Sequence, residues 1–264
     1  MATYLDAILQ AHRSAAQADT RNLEQLMDQA RLMPAARGFA AALADTTELA
    51  VIAEVKRRSP SKGELLANLD PITLAHSYEA GGASCLSVLT DRDYFGGSPE
   101  DLASARSAVR LPVLRKDFTV SAHDVCDARL MGADCVLLIA AALDDAELQD
   151  FSQLATELGL DALIEIHDEA ELDRAVTCTS AALVGVNQRD LETFMVDQAR
   201  AVRMAAIMPA NTIRVAESGV RGQHDARALA AAGYHAVLVG EHLVRSADPA
   251  AALAELRVAL PESE

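Results

Sequence analysis

After residue 50 the chain alternates short, continuous apolar runs with longer amphipathic stretches, and it does so eight times. The runs are Ala50–Val55, Cys85–Leu89, Pro112–Leu114, Cys135–Ile139, Ala162–Ile166, Leu183–Val186, Ile213–Ala216 and Ala236–Val239. A strand that is apolar on both faces must be covered on both, as in a parallel sheet flanked by helices. The stretches between them read as helices with capped starts at Asp70-Pro71, Ser98-Pro99-Glu100, Ser121, Asp144 and Asp168. Several hand over to the next run through Gly81-Gly82, Gly132, Gly159 or Gly233, where a left-handed residue is expected to end the helix. Eight strand–helix units fit a closed (β/α)₈ barrel, typically of about 250 residues. The competing doubly wound sheet usually opens on G-x-G-x-x-G, and no such run occurs. The expected fold is therefore α/β, a (β/α)₈ TIM barrel over residues 49–264, preceded by a helical extension over 1–48. In the extension, Leu5, Ile8 and Leu9, then Leu23, Leu26 and Met27, recur at helical spacing. They predict one or two helices lying over one mouth of the barrel, with no second domain.

Charge narrows the partners. With 23 basic and 39 acidic residues the net charge is −16, a field that repels nucleic acid and anionic membrane. A small anion remains acceptable if a local basic pocket overrides that field. Cys85, Cys126, Cys135 and Cys178 form no C-x-x-C pair, and the seven histidines lack metal-ligand spacing, so no metal is expected. No apolar run is long enough to span a membrane, and the charged N-terminal residues do not read as a signal peptide. The expectation is a soluble, reduced, cytoplasmic protein, a monomer or weak homo-oligomer.

Only three lysines occur, Lys56, Lys62 and Lys116, and two of them end apolar runs. Arginine stays charged at any working pH, whereas a lysine in a dry pocket can hand over a proton. In a barrel, alternate strand residues point inward and the C-terminal mouth carries the chemistry. Ile52, Glu54 and Lys56 share one face, as do Leu114, Lys116 and Phe118. Later strands end in Glu165, in Asn187-Gln188-Arg189, in Glu217-Ser218-Gly219 and in Gly240-Glu241. Each alone reads equally well as an ion pair or a cap, but their convergence on one mouth would be a costly scaffold. The glycine turns after the last two strands suit a phosphate on backbone N–H groups, with Ser59 adding a hydroxyl. Gln188 alternates away from Asn187 and Arg189, so little consequence is expected of it. His167, just beyond Glu165, is expected to point away from the mouth.

These residues also carry a family resemblance. The segment Val51-Ile52-Ala53-Glu54-Val55-Lys56-Arg57-Arg58-Ser59-Pro60-Ser61-Lys62-Gly63 resembles the opening signature of the indole-3-glycerol phosphate synthases. So do Leu89-Thr90-Asp91, Tyr94-Phe95-Gly96-Gly97-Ser98, Leu114-Arg115-Lys116-Asp117-Phe118, Leu163-Ile164-Glu165-Ile166, Asn187-Gln188-Arg189-Asp190-Leu191 and Val215-Ala216-Glu217-Ser218-Gly219. The likeness runs in order from about residue 37 to 249, while the first 36 residues match poorly. It implies a lyase of tryptophan biosynthesis that needs no cofactor. The substrate, 1-(2-carboxyphenylamino)-1-deoxyribulose 5-phosphate, would undergo ring closure, decarboxylation and dehydration. By motif match Lys116 is the general acid, and Lys56 holds the substrate carboxylate and donates in the dehydration. Glu165 is the base or its acid counterpart. Glu54 and Glu217 orient the lysines, Asn187 and Arg189 bind substrate, and Ser218 supports them. Phe95 and Phe118 line the aromatic pocket, and Ser59, Gly219, Gly240 and Glu241 hold the phosphate. The residue chemistry suggests a division between the lysines: Lys56 beside Glu54 stays charged, and Lys116 is pushed toward neutrality by other cations. Three alternatives stay open: a Schiff-base aldolase, a barrel that binds a sugar phosphate without turnover, and a phosphoribosylanthranilate isomerase. The lysine-bearing first and third runs disfavour the last.

Overall fold

The computed structural model describes residues 4–44, 46–59, 62–190 and 195–261. Pro60, Ser61 and Leu191 of the quoted motifs lie outside the described residues. Among the described residues, eight parallel strands close into a barrel. They are β1 (Ala50–Val55), β2 (Cys85–Leu89), β3 (Val113–Lys116), β4 (Cys135–Ile139), β5 (Asp161–Ile166), β6 (Leu183–Asn187), β7 (Ile213–Glu217) and β8 (Ala236–Val239). Ala50 pairs with Ala236 to close the ring, and Ile52 pairs with Cys85 on the other side of β1. β3 begins one residue later and ends two later than expected. Pro112 has no N–H for the ladder, while Arg115 and Lys116, polar in sequence, still pair with Val88 and Leu89.

Strand parity sorts the core into two layers. Ile52, Leu114, Cys135, Leu137, Leu163, Val215 and Leu238 fill the barrel interior. Their neighbours Val51, Ala53, Val88, Val136, Ile164, Val184 and Val237 face the helices outside. The expected caps are all present: Asp70, Ser98, Ser121 and Asp168 each accept a hydrogen bond from the first helical turn, and Asp144 forms a capping box with Glu147.

The N-terminal extension does more than expected, because it meets both mouths. It contains α1 (Tyr4–Ala18), α2 (Leu23–Arg31) and α3 (Phe39–Ala44). α3 plugs the bottom: Phe39 and Leu43 are wholly buried in the interior layer, and Ala40 N–H donates to Asp161 Oδ2 at 2.8 Å. Asp134, also wholly buried, accepts from Arg37 N–H, Val113 N–H and the Arg106 guanidinium, which fixes the approach to α3. α1 crosses the opposite, C-terminal mouth. There His12 Nε2 lies 2.9 Å from Asp91 Oδ2, Arg13 makes a two-pronged pair with Glu147, and the Tyr4 ring meets Tyr94 edge-on. No helix among the described residues is long and apolar enough to cross a membrane.

Candidate active site

A cavity of about 1030 Å³ opens at the C-terminal mouth. Glu54, Lys56, Lys116, Glu165, Asn187, Arg189, Glu217 and Ser218 line it, with Phe95, Phe118, Ser59, Gly219, Gly240 and Glu241. Every site residue expected from the sequence therefore reaches one space. Lys62, whose role the sequence left open, lines it too.

The floor is a network of buried charge. Lys116 Nζ lies 2.9 Å from Glu165 Oε2 and 3.6 Å from Glu217 Oε2. Asn187 Nδ2 donates to the other oxygen of Glu165 at 3.1 Å. Just past the end of β1, Lys56 pairs with Glu54, whose carbonyl accepts the buried Tyr78 hydroxyl. Two glycines make room for the carboxylates. A β-carbon at Gly185 would overlap Glu217 Oε1, and one at Gly240 would overlap Glu54 Oε1. Gly185→Ala is expected to displace Glu217 and lower kcat by between about tenfold and 10²-fold. Overpacking should cost about 1–3 kcal/mol. Steady-state rates and a denaturant midpoint check both.

This geometry corrects one expectation. Lys116 is surrounded by carboxylates, not cations. Burial alone would drive its ammonium toward neutrality, but Glu165, Glu217 and Glu54 outweigh burial and raise its pKa. Burial would likewise raise Glu165, yet Lys116, then His167 and Asn187, hold it below the ordinary carboxylate range. Glu217 goes the other way: burial and the Glu165 charge push it up, against Lys116. The contacts thus favour the ammonium on Lys116 and the carboxylate on Glu165, and they work against a second negative charge on Glu217.

Gln188 stays off the cavity lining, as alternation predicts, and its Nε2 donates to Ser218 O at 2.7 Å, buttressing the turn after β7. That turn has two left-handed residues in succession, Ser218 (φ 66°) and Gly219 (φ 78°), a backbone state that a residue with a side chain seldom adopts. The expectation that His167 points away fails as well. Positions two apart on a strand project to the same side, and His167 Nε2 comes 3.8 Å from Glu165 Oε1 while remaining outside the cavity lining.

The sequence reading also missed Arg221 and Arg245, which line the cavity beside the two glycine turns. Arg221 is steadied by Gln198 and Asp225, and Arg245 stands 3.8 Å from Glu241. Their signal was available: basic residues just beyond the β7 and β8 turns of a strongly acidic chain. At the opposite side Phe95 and Phe118 lie 6.3 Å apart between ring centroids, and His12 of α1 sits 5.3 Å from Phe118. The cavity therefore has a cationic, glycine-lined end, an aromatic wall and a floor of buried, paired charge.

Known proteins similar to this chain fall into two groups, relatives in sequence and likenesses in fold. A sequence model of the family described as "Indole-3-glycerol phosphate synthase" matches residues 5–256. A protein of that name from Mycolicibacterium vanbaalenii is 48% identical over 257 residues, covering 97% of this chain and 94% of its own. Another from an Arthrobacter species is 48% identical, covering 99% and 98%. Among solved structures, 3-hexulose-6-phosphate synthase from Salmonella typhimurium superposes with a TM-score of 0.64 at 14% identity, over 79% of this chain and 96% of that one. Thiamine phosphate pyrophosphorylase from Pyrococcus furiosus gives 0.60 at 15% identity, over 79% and 93%. These two likenesses concern the fold alone.

Proposed function

Since this chain belongs to the indole-3-glycerol phosphate synthase family, we propose that it converts 1-(2-carboxyphenylamino)-1-deoxyribulose 5-phosphate into indole-3-glycerol phosphate by lysine–glutamate acid–base catalysis. Membership makes it a carboxy-lyase. One observation carries the reading: Lys116 Nζ lies 2.9 Å from the buried carboxyl group of Glu165, on a floor whose other lysine is paired with Glu54.

The substrate phosphate occupies the end formed by Ser59, Gly219, Gly240 and the Glu241 backbone, with Arg221 and Arg245 adding charge. Its aryl ring lies on the Phe95 and Phe118 side, and Arg189 and Asn187 hold polar substrate groups, supported by Ser218. Lys56 anchors the substrate carboxylate. The aryl carbon bearing that carboxylate attacks the ketone carbon, and Lys116 gives its proton to the ketone oxygen as it becomes a hydroxyl. Loss of CO₂ returns its bonding electrons to the ring and restores aromaticity. The new hydroxyl then leaves as water with a proton from Lys56, and Glu165 takes the proton shed by the adjacent methylene carbon. Glu165 returns that proton to neutral Lys116, 2.9 Å away, and Lys56 is reprotonated from solvent. One solvent proton is consumed per CO₂ and water released, which balances the charge lost with the carboxylate. The carboxylates around Lys116 keep its proton in place at rest, which makes it available to the ketone oxygen but a weaker acid than a lysine nearer neutrality would be. Glu54 and Glu217 hold the two lysines in place.

The barrel, residues 49–264, with its extension over 1–48, acts as one unit, a cytoplasmic monomer or weak homo-oligomer. The aldolase reading is weakened by the same carboxylates, since a Schiff base requires a neutral amine and they favour the ammonium. Mass analysis after incubation with the substrate should find a product lighter by one CO₂ and one water. Borohydride added during turnover should leave Lys116 unmodified. A reduced lysine adduct, or unchanged substrate with folded protein, contradicts the proposal.

A further inference from the structure

His167 follows the last residue of β5 and is mostly buried, with its side chain 12% exposed. Glu171, in the first turn of the next helix, α4 (Glu169–Cys178), grips it twice. One carboxylate oxygen accepts from the His167 backbone N–H at 2.7 Å and meets the ring Nδ1 at 3.1 Å. Asp168 caps that helix and accepts from Glu171 N–H at 2.9 Å, so the gripping carboxylate is itself fixed. The other ring nitrogen, Nε2, is buried without a hydrogen-bond partner among the described residues and lies 3.8 Å from Glu165 Oε1. An orphaned buried imidazole nitrogen is costly, and here it is aimed at the one carboxylate on which the proposed proton cycle turns.

We propose that His167, held by Glu171, is a positioning residue that keeps Glu165 aligned and ionised beside Lys116. The inference rests on the role proposed above for Glu165. It gives that carboxylate three supports: Lys116 on one oxygen, and Asn187 with His167 on the other. The groups around the ring agree. Burial works against charging it, but Glu171 and Glu165 outweigh burial and raise its pKa, with Arg200 opposing them from the following helix. Arg200 is itself tied to Asn187 O at 3.0 Å and faces Asp190. An imidazolium at this place stabilises the carboxylate of the resting enzyme. It is not among the described residues that line the cavity, so it acts through Glu165 and not on substrate.

The test uses the full chain. In His167→Asn, kcat should fall about tenfold, with KM within about twofold and the acidic limb of the kcat–pH profile moved up by about one unit, because Glu165 has lost a positive neighbour. Glu171→Gln, which releases the ring, should move the limb the same way by less. An NMR titration of His167 reads the pair without turnover: its pKa should drop in Glu165→Gln relative to the unaltered chain. If Glu165→Gln abolishes turnover while His167→Asn keeps the normal rate and limb, His167 is no positioning residue and the role of Glu165 stands. If Glu165→Gln turns over normally, the Glu165 role and this inference both fall. Should His167→Asn not fold, an unchanged titration in Glu165→Gln overturns the inference by itself.

Discussion

Lys116→Met should lower kcat by about 10³-fold, within the range expected for loss of a positioned general acid. The substitution keeps the length of the side chain at the end of β3 but removes the ammonium that donates to Glu165 Oε2. Both early products should vanish together, because without protonation of the ketone oxygen the ring does not close and no CO₂ leaves. The fold should survive: Lys116 ends its strand at the cavity, and the interior layer beneath it is supplied by Leu114, Leu137 and Leu163. Glu165 and Glu217 would lose their shared cation, and the pair would answer by binding a further proton. Circular dichroism should match the unaltered chain while single-turnover CO₂ release is lost. A near-normal rate contradicts the assignment.

Glu165→Gln should be the second most damaging change, lowering kcat by about 10²- to 10³-fold, and it should fail at a different step. Glutamine preserves the acceptor toward Lys116 and most of the shape, but it cannot take up the methylene proton. Ring closure and decarboxylation then run ahead of dehydration. A rapid-quench experiment should find CO₂ released without a matching amount of indole product. The pH sign follows from the same contacts. With its pKa held low, Glu165 is already ionised at neutral pH, so kcat of the unaltered chain should stay level on acidification until the carboxylate itself is protonated. Equal loss of CO₂ and indole in the variant would place Glu165 earlier in the reaction.

Much of the site was legible because period-two alternation carries inward-facing chemistry to the same mouth. Glu54 with Lys56, and Lys116 with Phe118, follow from counting along one strand. What failed was everything that depends on which strands are neighbours at one depth. Lys116 looks isolated in Leu-Arg-Lys-Asp-Phe, and the carboxylates that charge it come from β5, β7 and β1. Gly185 reads as a weak point in a strand until the Glu217 carboxylate is found over it. The plug α3 is Phe-Ala-Ala-Ala-Leu-Ala, apolar on every side, so no amphipathic stripe announces which surface it covers. His167 is a different case. Its placement beside Glu165 was available from parity, and the contrary expectation was an error of counting and not of missing information.

The central claim, that this floor turns an arylamino ketose phosphate into an indole, meets its most direct test in light emission. The chain has no tryptophan and only four tyrosines, so indole fluorescence meets little protein background. The unaltered chain mixed with 1-(2-carboxyphenylamino)-1-deoxyribulose 5-phosphate should develop indole emission in proportion to enzyme and time. With Lys116→Met the emission should develop about 10³-fold more slowly. A folded, unaltered chain that consumes the substrate without indole emission, or that leaves it untouched, contradicts the account.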